Sequence, residues 1–208
     1  MKLWLASADA DIVARHFSSG VFAGVVTNPA VVAEARRDRV ELFRDLVQIV
    51  PFAWYQLLAG TRDEMLADAE RMLAIDPERI RIKVPATRAG LAVIRQLSDQ
   101  GLEIMATCVP TRPWLLFALA AGARRIAPYG SMLQKRGIAS KAEEVVAMQQ
   151  IIDRQGSWAE ILPGLYDPTE ISYYASHGIR SGFIWAKDVE VFLTQPLAED
   201  AASAFGGY

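Results

Sequence analysis

Eight short apolar segments recur along the chain, and each is followed by a longer stretch with the polarity pattern of an amphipathic helix. The segments are KLWLA, VFAGVV, FAWYQLL, RIRIKV, EIMATCV, RRIAPY, EILPGL and SGFIWA. Strands that alternate with helices pair in parallel through right-handed crossovers. Eight such units in 208 residues predict an α/β fold, a (β/α)8 TIM barrel. A doubly wound open sheet has the same local pattern and is the alternative. No Gly-x-Gly-x-x-Gly follows an early segment, which weakens a dinucleotide-binding version of that alternative.

We expect residues 1–208 to form a single barrel domain, because no Pro-, Gly- or Ser-rich linker and no charge block divides them. Helices are predicted to start at Thr61, Thr87 and Asp167, residue types favoured at helix N-termini. Residues 196–208 follow the eighth unit as a C-terminal tail. Pro196 ends the preceding element, and the tail is predicted to form a short additional helix.

Charge and cysteine content exclude several classes of function. The formal net charge is −2 and the isoelectric point is about 5.8, so neither a nucleic-acid nor a membrane partner is expected. One cysteine, Cys108, gives neither an internal disulfide nor zinc-ligand spacing. The apolar stretch at the N-terminus is too short for a signal peptide or a membrane span. We therefore expect a cytoplasmic protein without a metal site.

Lys83 is an unusual charge within an apolar segment. Strand alternation places it on the face opposite Ile82 and Val84, and strands of a parallel barrel are buried on both faces. A model lysine with a pKa of about 10.4 is neutral in roughly one molecule in a few thousand at pH 7, and desolvation favours the neutral, nucleophilic amine. The competing interpretation is a lysine whose stem packs while its ammonium reaches solvent or a carboxylate.

Active sites of such barrels lie at the carboxyl ends of the strands. The residues at these predicted ends are Ala6, Ser7, Val26, Thr27, Asn28, Pro29, Gln56, Lys83, Thr107, Tyr129, Gly164 and Trp185. Gln56, Thr107 and Tyr129 each have groups that hold a water or a hydroxyl, although each alone is more often structural. Asn28-Pro29 is ordinarily a turn and helix start. Cys108 follows Thr107 and is expected to face away from it as a small buried apolar residue.

Several segments together resemble the transaldolase family, and in particular its short branch of fructose-6-phosphate aldolases. They are GVVTNPAVV, AWYQLLA, IKVPATRAGLAVIRQL, GLEIMATCV and AGARRIAPYGSML, and the resemblance covers nearly the whole chain. It implies a (β/α)8 barrel that needs no metal or cofactor. It also implies a homo-oligomer, a pentamer or a decamer, because the short branch forms rings through its C-terminal helix.

The resemblance also assigns roles by position. Lys83 matches the Schiff-base lysine of the family, and Gln56, Thr107 and Tyr129 match residues that hold the catalytic water and assist proton transfer. Asn28 matches an asparagine that binds substrate hydroxyls. The other positions expected to contact substrate are Thr27, Ala6, Trp185 and Gly164.

The chain departs from the family pattern at four places. Ala6 stands where an aspartate is usual, Val26 replaces a threonine, and Met132 replaces an arginine. The seventh segment ends in Gly164-Leu165-Tyr166, where the family has a serine followed by a basic residue. These changes favour a smaller or unphosphorylated, less polar carbonyl donor such as hydroxyacetone or a simple aldehyde.

Two functions remain open. The first is a class I aldolase or transaldolase that makes or breaks C–C bonds of a small ketone or sugar, phosphorylated or not, through Lys83. The second is a catalytically impaired paralogue that binds carbonyl compounds or sugars, an alternative prompted by Ala6, Val26 and Met132.

Overall fold

Strands and helices alternate along the computed structural model, which describes residues 1–205. The strands are β1 (Lys2–Ala6), β2 (Phe22–Val26), β3 (Ala53–Gln56), β4 (Ile80–Pro85), β5 (Ile104–Val109), β6 (Arg125–Pro128), β7 (Glu160–Ile161), β8 (Gly164–Leu165) and β9 (Ser181–Trp185). The helices are α1 (Ala10–Phe17), α2 (Pro29–Glu34), α3 (Arg39–Ile49), α4 (Arg62–Leu73), α5 (Arg88–Asp99), α6 (Arg112–Ala120), α7 (Gly130–Lys135), α8 (Lys141–Arg154), α9 (Thr169–Ser176), α10 (Val189–Leu193) and α11 (Pro196–Phe205). Residues Ala186–Asp188 form one turn of 3-10 helix.

The strands pair in parallel in the order β7-β6-β5-β4-β3-β2-β1-β9-β8. Strands β7 and β8 are the two ends of one predicted segment, EILPGL. Leu162 N donates to Ile126 O of β6 at 2.7 Å, and Phe183 N of β9 donates to Pro163 O at 3.0 Å. One segment therefore bonds to both neighbours and closes the sheet, which confirms the barrel over the open sheet. Pro163 interrupts the segment because proline has no N–H to donate.

The two faces of the barrel carry different cores. Ile82 and Val84 belong to a large core between the strands and the surrounding helices. The interior of the barrel is filled by Trp4, Ala6, Val26, Trp54, Met105, Ala127 and Leu162. The rings of Trp4 and Trp54 meet edge to face with centroids 6.2 Å apart. Ile82 and Val84, on either side of Lys83, both face the outer core. Lys83 lies between them on the opposite face of β4, as strand alternation predicts.

Helix α5 begins in direct contact with the end of β4. A Cβ atom on Gly90 would lie 1.9 Å from the carbonyl oxygen of Pro85, a distance that no side chain tolerates. The hydroxyl of Thr87 accepts the N–H of Gly90 at 3.0 Å and caps the helix. The tight turn fixes the end of the strand that carries Lys83.

The helix starts predicted at Thr61 and Thr87 are confirmed, and Thr61 forms a full capping box with Glu64. The N-cap predicted at Asp167 is one residue early, because Pro168 is the N-cap and α9 begins at Thr169. Asp167 still accepts the N–H of Thr169 at 2.8 Å. The predicted tail helix is α11, and residues 206–208 of the tail lie outside the described part of the chain.

No helix within residues 1–205 is long and apolar enough to cross a membrane.

Candidate active site

A cavity of about 440 Å³ opens at the carboxyl ends of the strands. Most of the site residues predicted from the sequence line it, namely Lys83, Gln56, Thr107, Tyr129, Asn28, Gly164 and Trp185. They come from seven positions around the barrel, and the parallel arrangement brings their strand ends to one edge. The cavity is therefore the candidate active site.

The side chain of Lys83 is buried, with 6% of its surface exposed. Its Nζ donates to the backbone oxygen of Thr27 at 3.1 Å, and within residues 1–205 no carboxylate forms an ion pair with it. Burial lowers the pKa of Lys83 to about 8, against a smaller opposing effect from Cys108. At that pKa about one lysine in ten is neutral at pH 7, a gain of a few hundredfold over a solvated amine.

Three polar side chains surround the lysine at neighbouring strand ends. Gln56 is the register partner of Lys83 across β3 and β4, and Thr107 pairs with Pro85 across β4 and β5. Tyr129 follows β6 and is anchored by its N–H, which donates to Val109 O at 2.9 Å. Tyr129 is 40% exposed and lines the cavity. The arrangement offers an amide and two hydroxyls to a water or substrate beside Lys83.

Cys108 does not face away from Thr107, so the expectation for this residue was wrong. The pairing of β5 with β6 shifts register between Thr107 and Val109, and Cys108 takes a left-handed conformation with φ of 57°. A bulge breaks the two-residue alternation of a strand, so Cys108 also lines the cavity. Burial raises the pKa of its thiol, while nearby Lys83 opposes that change.

Thr27 and Asn28 have different positions relative to the cavity. Thr27 is buried beneath Lys83, where its hydroxyl donates to Trp54 O at 2.9 Å and its carbonyl holds the ammonium. It does not line the cavity and is placed to orient the lysine. Asn28 lines the cavity and caps α2 by accepting the N–H of Val31 at 3.0 Å. Its amide N–H₂ group is left to donate.

A second cavity, of about 730 Å³, adjoins the first on the side of β1. Lys135, Tyr166 and Trp185 line both cavities and form the wall between them. Ala6 lines the second cavity rather than the first, beside Ser7 and the charged side chains of α1 and α2. The mouth of the barrel is thus a cleft with two lobes.

Lys141 and Glu170 form a part of the site that was not predicted from the sequence. Lys141 lines the Lys83 cavity, and its Nζ donates to both carboxylate oxygens of Glu170, at 2.7 and 2.8 Å. One feature of the sequence could have pointed to this pair. Lys141 directly follows the N-cap residue Ser140, and because helix N-termini disfavour positive charge, a lysine there indicates that another interaction holds it.

Within residues 1–205, no three His, Cys, Asp or Glu side chains are grouped so as to hold a metal ion.

Comparison with known proteins agrees with this geometry. The sequence profile described as Transaldolase/Fructose-6-phosphate aldolase matches residues 55–166. A probable transaldolase of Streptococcus agalactiae serotype V is 30% identical over 207 residues, which are 99% of this chain and 95% of the relative. A probable transaldolase of Desulfotalea psychrophila is 27% identical over 208 residues (99% and 96%), and probable transaldolase 2 of Bacillus anthracis is 28% identical over 217 (99% and 96%). The chain belongs to the transaldolase/fructose-6-phosphate aldolase family and is a transaldolase-like aldolase.

Proposed function

We propose that this enzyme is a class I aldolase that makes or breaks C–C bonds of a small ketone or sugar through a Schiff base at Lys83. The observation that carries the proposal is a buried lysine at the barrel mouth with a lowered pKa and no paired carboxylate in the described chain. Burial without an ion pair costs stability, and a role as nucleophile accounts for that cost.

In the proposed mechanism the neutral amine of Lys83 attacks the carbonyl carbon of the donor and forms a carbinolamine. The oxygen leaves as water after it takes a proton from Tyr129 or from a water that Tyr129, Gln56 and Thr107 hold. When the substrate is a β-hydroxy ketone, the bond between its α and β carbons breaks: the electron pair moves to the iminium and gives an enamine, while the β-hydroxyl passes its proton to the Tyr129–water pair and the β carbon leaves as an aldehyde. In the direction of synthesis the same enamine forms by loss of an α-proton from the donor iminium and attacks the acceptor aldehyde. Protonation of the enamine carbon and hydrolysis return the free lysine.

The walls around this chemistry favour a less polar donor than the family name suggests. Ala6 pairs in register with Val26 on one side and with Trp185 on the other. Of these three apolar side chains, Trp185 lines the Lys83 cavity, Ala6 lines the adjoining lobe, and Val26 is packed in the barrel interior. We propose hydroxyacetone, dihydroxyacetone or a simple aldehyde as the donor class. The alternative, a paralogue that binds carbonyl compounds without turnover, is favoured by the same apolar residues.

Adduct trapping tests the proposal. Incubation with hydroxyacetone followed by borohydride reduction is expected to add the mass of the reduced donor to the peptide that contains Lys83, because borohydride converts the iminium to a stable amine. Peptide mass spectrometry locates the adduct, and a sample without borohydride is the control. An adduct together with C–C exchange supports the aldolase, and an adduct without exchange favours the binding protein. The absence of any adduct at Lys83 across a panel of small ketones and aldehydes excludes Schiff-base chemistry in either case.

The rate of adduct formation is expected to depend on pH with a midpoint near 8. Below that value the rate should rise about tenfold per pH unit as the amine loses its proton, and it should level off above it, because the pKa of Lys83 is lowered to about 8 by burial. Quenching timed samples with borohydride between pH 6 and pH 10 gives the profile. A rate that still climbs tenfold per unit beyond about pH 9.5 is that of a solvated amine and contradicts the assignment.

A further inference from the structure

Helix α6 lies on the surface of the barrel, yet residues 113–120, which read PWLLFALA, contain no charged side chain. Its inner residues Leu115 and Ala118 pack in the core. On its outer face the side chains of Leu116 and Phe117 are exposed. A helix that is apolar all round is normally buried on all sides, so the outer face of α6 is expected to be covered by another surface.

Trp158 stands beside this face and is the most exposed large apolar side chain of the described chain, with 92% of its surface open to solvent. It borders a shallow depression of about 430 Å³, which Leu119, Ala123 and Arg124 also line. Leu119 lies three residues after Leu116 and shares its side of the helix, so the depression continues the apolar face. A tryptophan exposed beside apolar neighbours is typical of a protein interface.

The loop that carries Trp158 is held in place on both sides. Gly156 directly follows the C-cap of α8 and has a φ of 60°, the left-handed conformation in which helices commonly end. Ala159 N donates to Ser157 Oγ at 3.2 Å, and Glu160 N donates to the backbone oxygen that precedes β6 at 3.0 Å. The indole is thus presented on a fixed backbone, and its binding to a partner requires little further ordering of the loop.

The exposed indole and the depression belong to the same surface, which favours a second copy of the chain as the partner. A two-fold rotation that seats Trp158 in the partner's depression also seats the partner's Trp158 in the first depression, because every contact of such an interface occurs twice. Arg124 is exposed at the same depression, and within residues 1–205 its guanidinium forms no ion pair. A cation at this place stabilises an aromatic ring that is seated against it.

The surface is large enough for a specific contact. Trp158 alone offers on the order of 200 Å², and with Arg124 and the exposed residues of α6 two facing copies bury on the order of 1,000 Å². This area is the lower limit for a specific interface. Area does not fix affinity, so the association has to be measured over a range of concentrations.

We propose that Trp158, Arg124 and the outer face of α6 form a two-fold interface between two copies of this chain, with each indole seated in the depression of the other. The interface does not depend on the chemistry at Lys83. It is also a different surface from helix α11, through which the resemblance to the family implies assembly into rings.

Sedimentation velocity over concentrations on the order of 1–100 μM tests the interface. The wild-type particle is expected to contain an even number of 22.9 kDa chains, and Trp158→Ala is expected to halve that number. Because Trp158 is almost fully exposed, the variant should fold, which circular dichroism checks. Ile138→Ala removes another exposed apolar side chain and should leave the particle mass unchanged. A monomeric wild-type protein, an odd number of chains or an unchanged mass in Trp158→Ala overturns the proposal.

Disulfide trapping shows whether the two copies meet symmetrically. Oxidation of Trp158→Cys with diamide is expected to link at least about half of the chains through position 158 of both copies, since the two-fold contact brings these positions together. Peptide mass spectrometry locates the bond, and Ile138→Cys is the control that should remain unlinked. If Trp158→Ala halves the mass but Trp158→Cys forms no such bond, the depression holds another part of the neighbour, such as the exposed Leu197 or Phe205 of α11, and the two-fold interface is overturned.

Discussion

Replacement of Lys83 by methionine is expected to abolish adduct formation and to lower C–C bond exchange by at least about 10⁴-fold. The other two lysines of the described cavity wall do not replace it, because Lys135 is exposed to solvent and Lys141 is held by Glu170. Methionine fills a similar volume, so the barrel interior should remain packed. The measurements are borohydride trapping with hydroxyacetone and an assay of aldol exchange. Lys135→Met is the matched control, since it removes a second lysine of the same cavity and should leave the adduct intact.

The same variant is expected to be more stable than the wild-type protein. The pKa of Lys83 falls from 10.5 to about 8 on folding, so between those two values the unfolded chain binds a proton that the folded chain does not. Stability is therefore lost as the pH falls from about 10.5 to about 8, and the loss is complete below that window. It amounts to about 3 kcal/mol at about 1.4 kcal/mol per pKa unit.

Urea denaturation of both proteins at several pH values measures the effect. Lys83→Met should exceed the wild-type free energy of unfolding by about 2–3 kcal/mol at pH 7, and this excess should shrink as the pH rises towards about 10. If Lys83→Met still forms the borohydride-reduced adduct, the nucleophile is a residue other than Lys83. A variant that is less stable at pH 7 shows that the buried amine is not costly.

Replacement of Tyr129 by phenylalanine is expected to lower the rate of C–C exchange by about 10²–10⁴-fold, which is the contribution of a placed general acid or base. The change removes only the hydroxyl, and in residues 1–205 that hydroxyl makes no hydrogen bond to another protein group. Exchange of donor hydrogens with deuterated water, followed by mass spectrometry, measures the proton transfer directly. The unfolding free energy should change by less than about 0.5 kcal/mol.

Tyr166→Phe is the control for this prediction, because Tyr166 is also exposed and lines the same cavity. It should leave the exchange rate within about threefold. Equal losses in the two variants would show that any hydroxyl at the mouth serves and that Tyr129 has no specific role. An unchanged rate in Tyr129→Phe would leave Gln56 and Thr107 as the groups that position water.

The sequence alone predicted the barrel, because each strand segment has its own apolar run and parallel closure follows from their number. It also located Lys83, since a charge inside such a run has few structural explanations. The gathering of Gln56, Thr107 and Tyr129 around that lysine follows from one rule, the meeting of strand ends at a common edge.

Other parts of the site depend on interactions that no local pattern contains. Cys108 turns towards the cavity because a bulge shifts the pairing of β5 with β6, and bulges depend on the register of two strands. Lys141 and Glu170 are 29 residues apart and meet only after two helices have packed. Ala6 lines the neighbouring lobe, which shares Lys135, Tyr166 and Trp185 with the Lys83 cavity.

The interrupted strand at Pro163 leaves a seam in the barrel where strand pairing is short on both sides. Strands β7 and β8 have two residues each, whereas β4 pairs along four residues with each of its neighbours. Lys83 lies on β4, away from that seam, and the chain that leaves β8 leads directly to Tyr166 and Glu170. Deformation of that seam is therefore expected to move the part of the cavity wall formed by Tyr166 and to leave Lys83 in place. We expect substitutions near this seam to change the range of substrates with little loss of stability and without a change in the chemical step at Lys83.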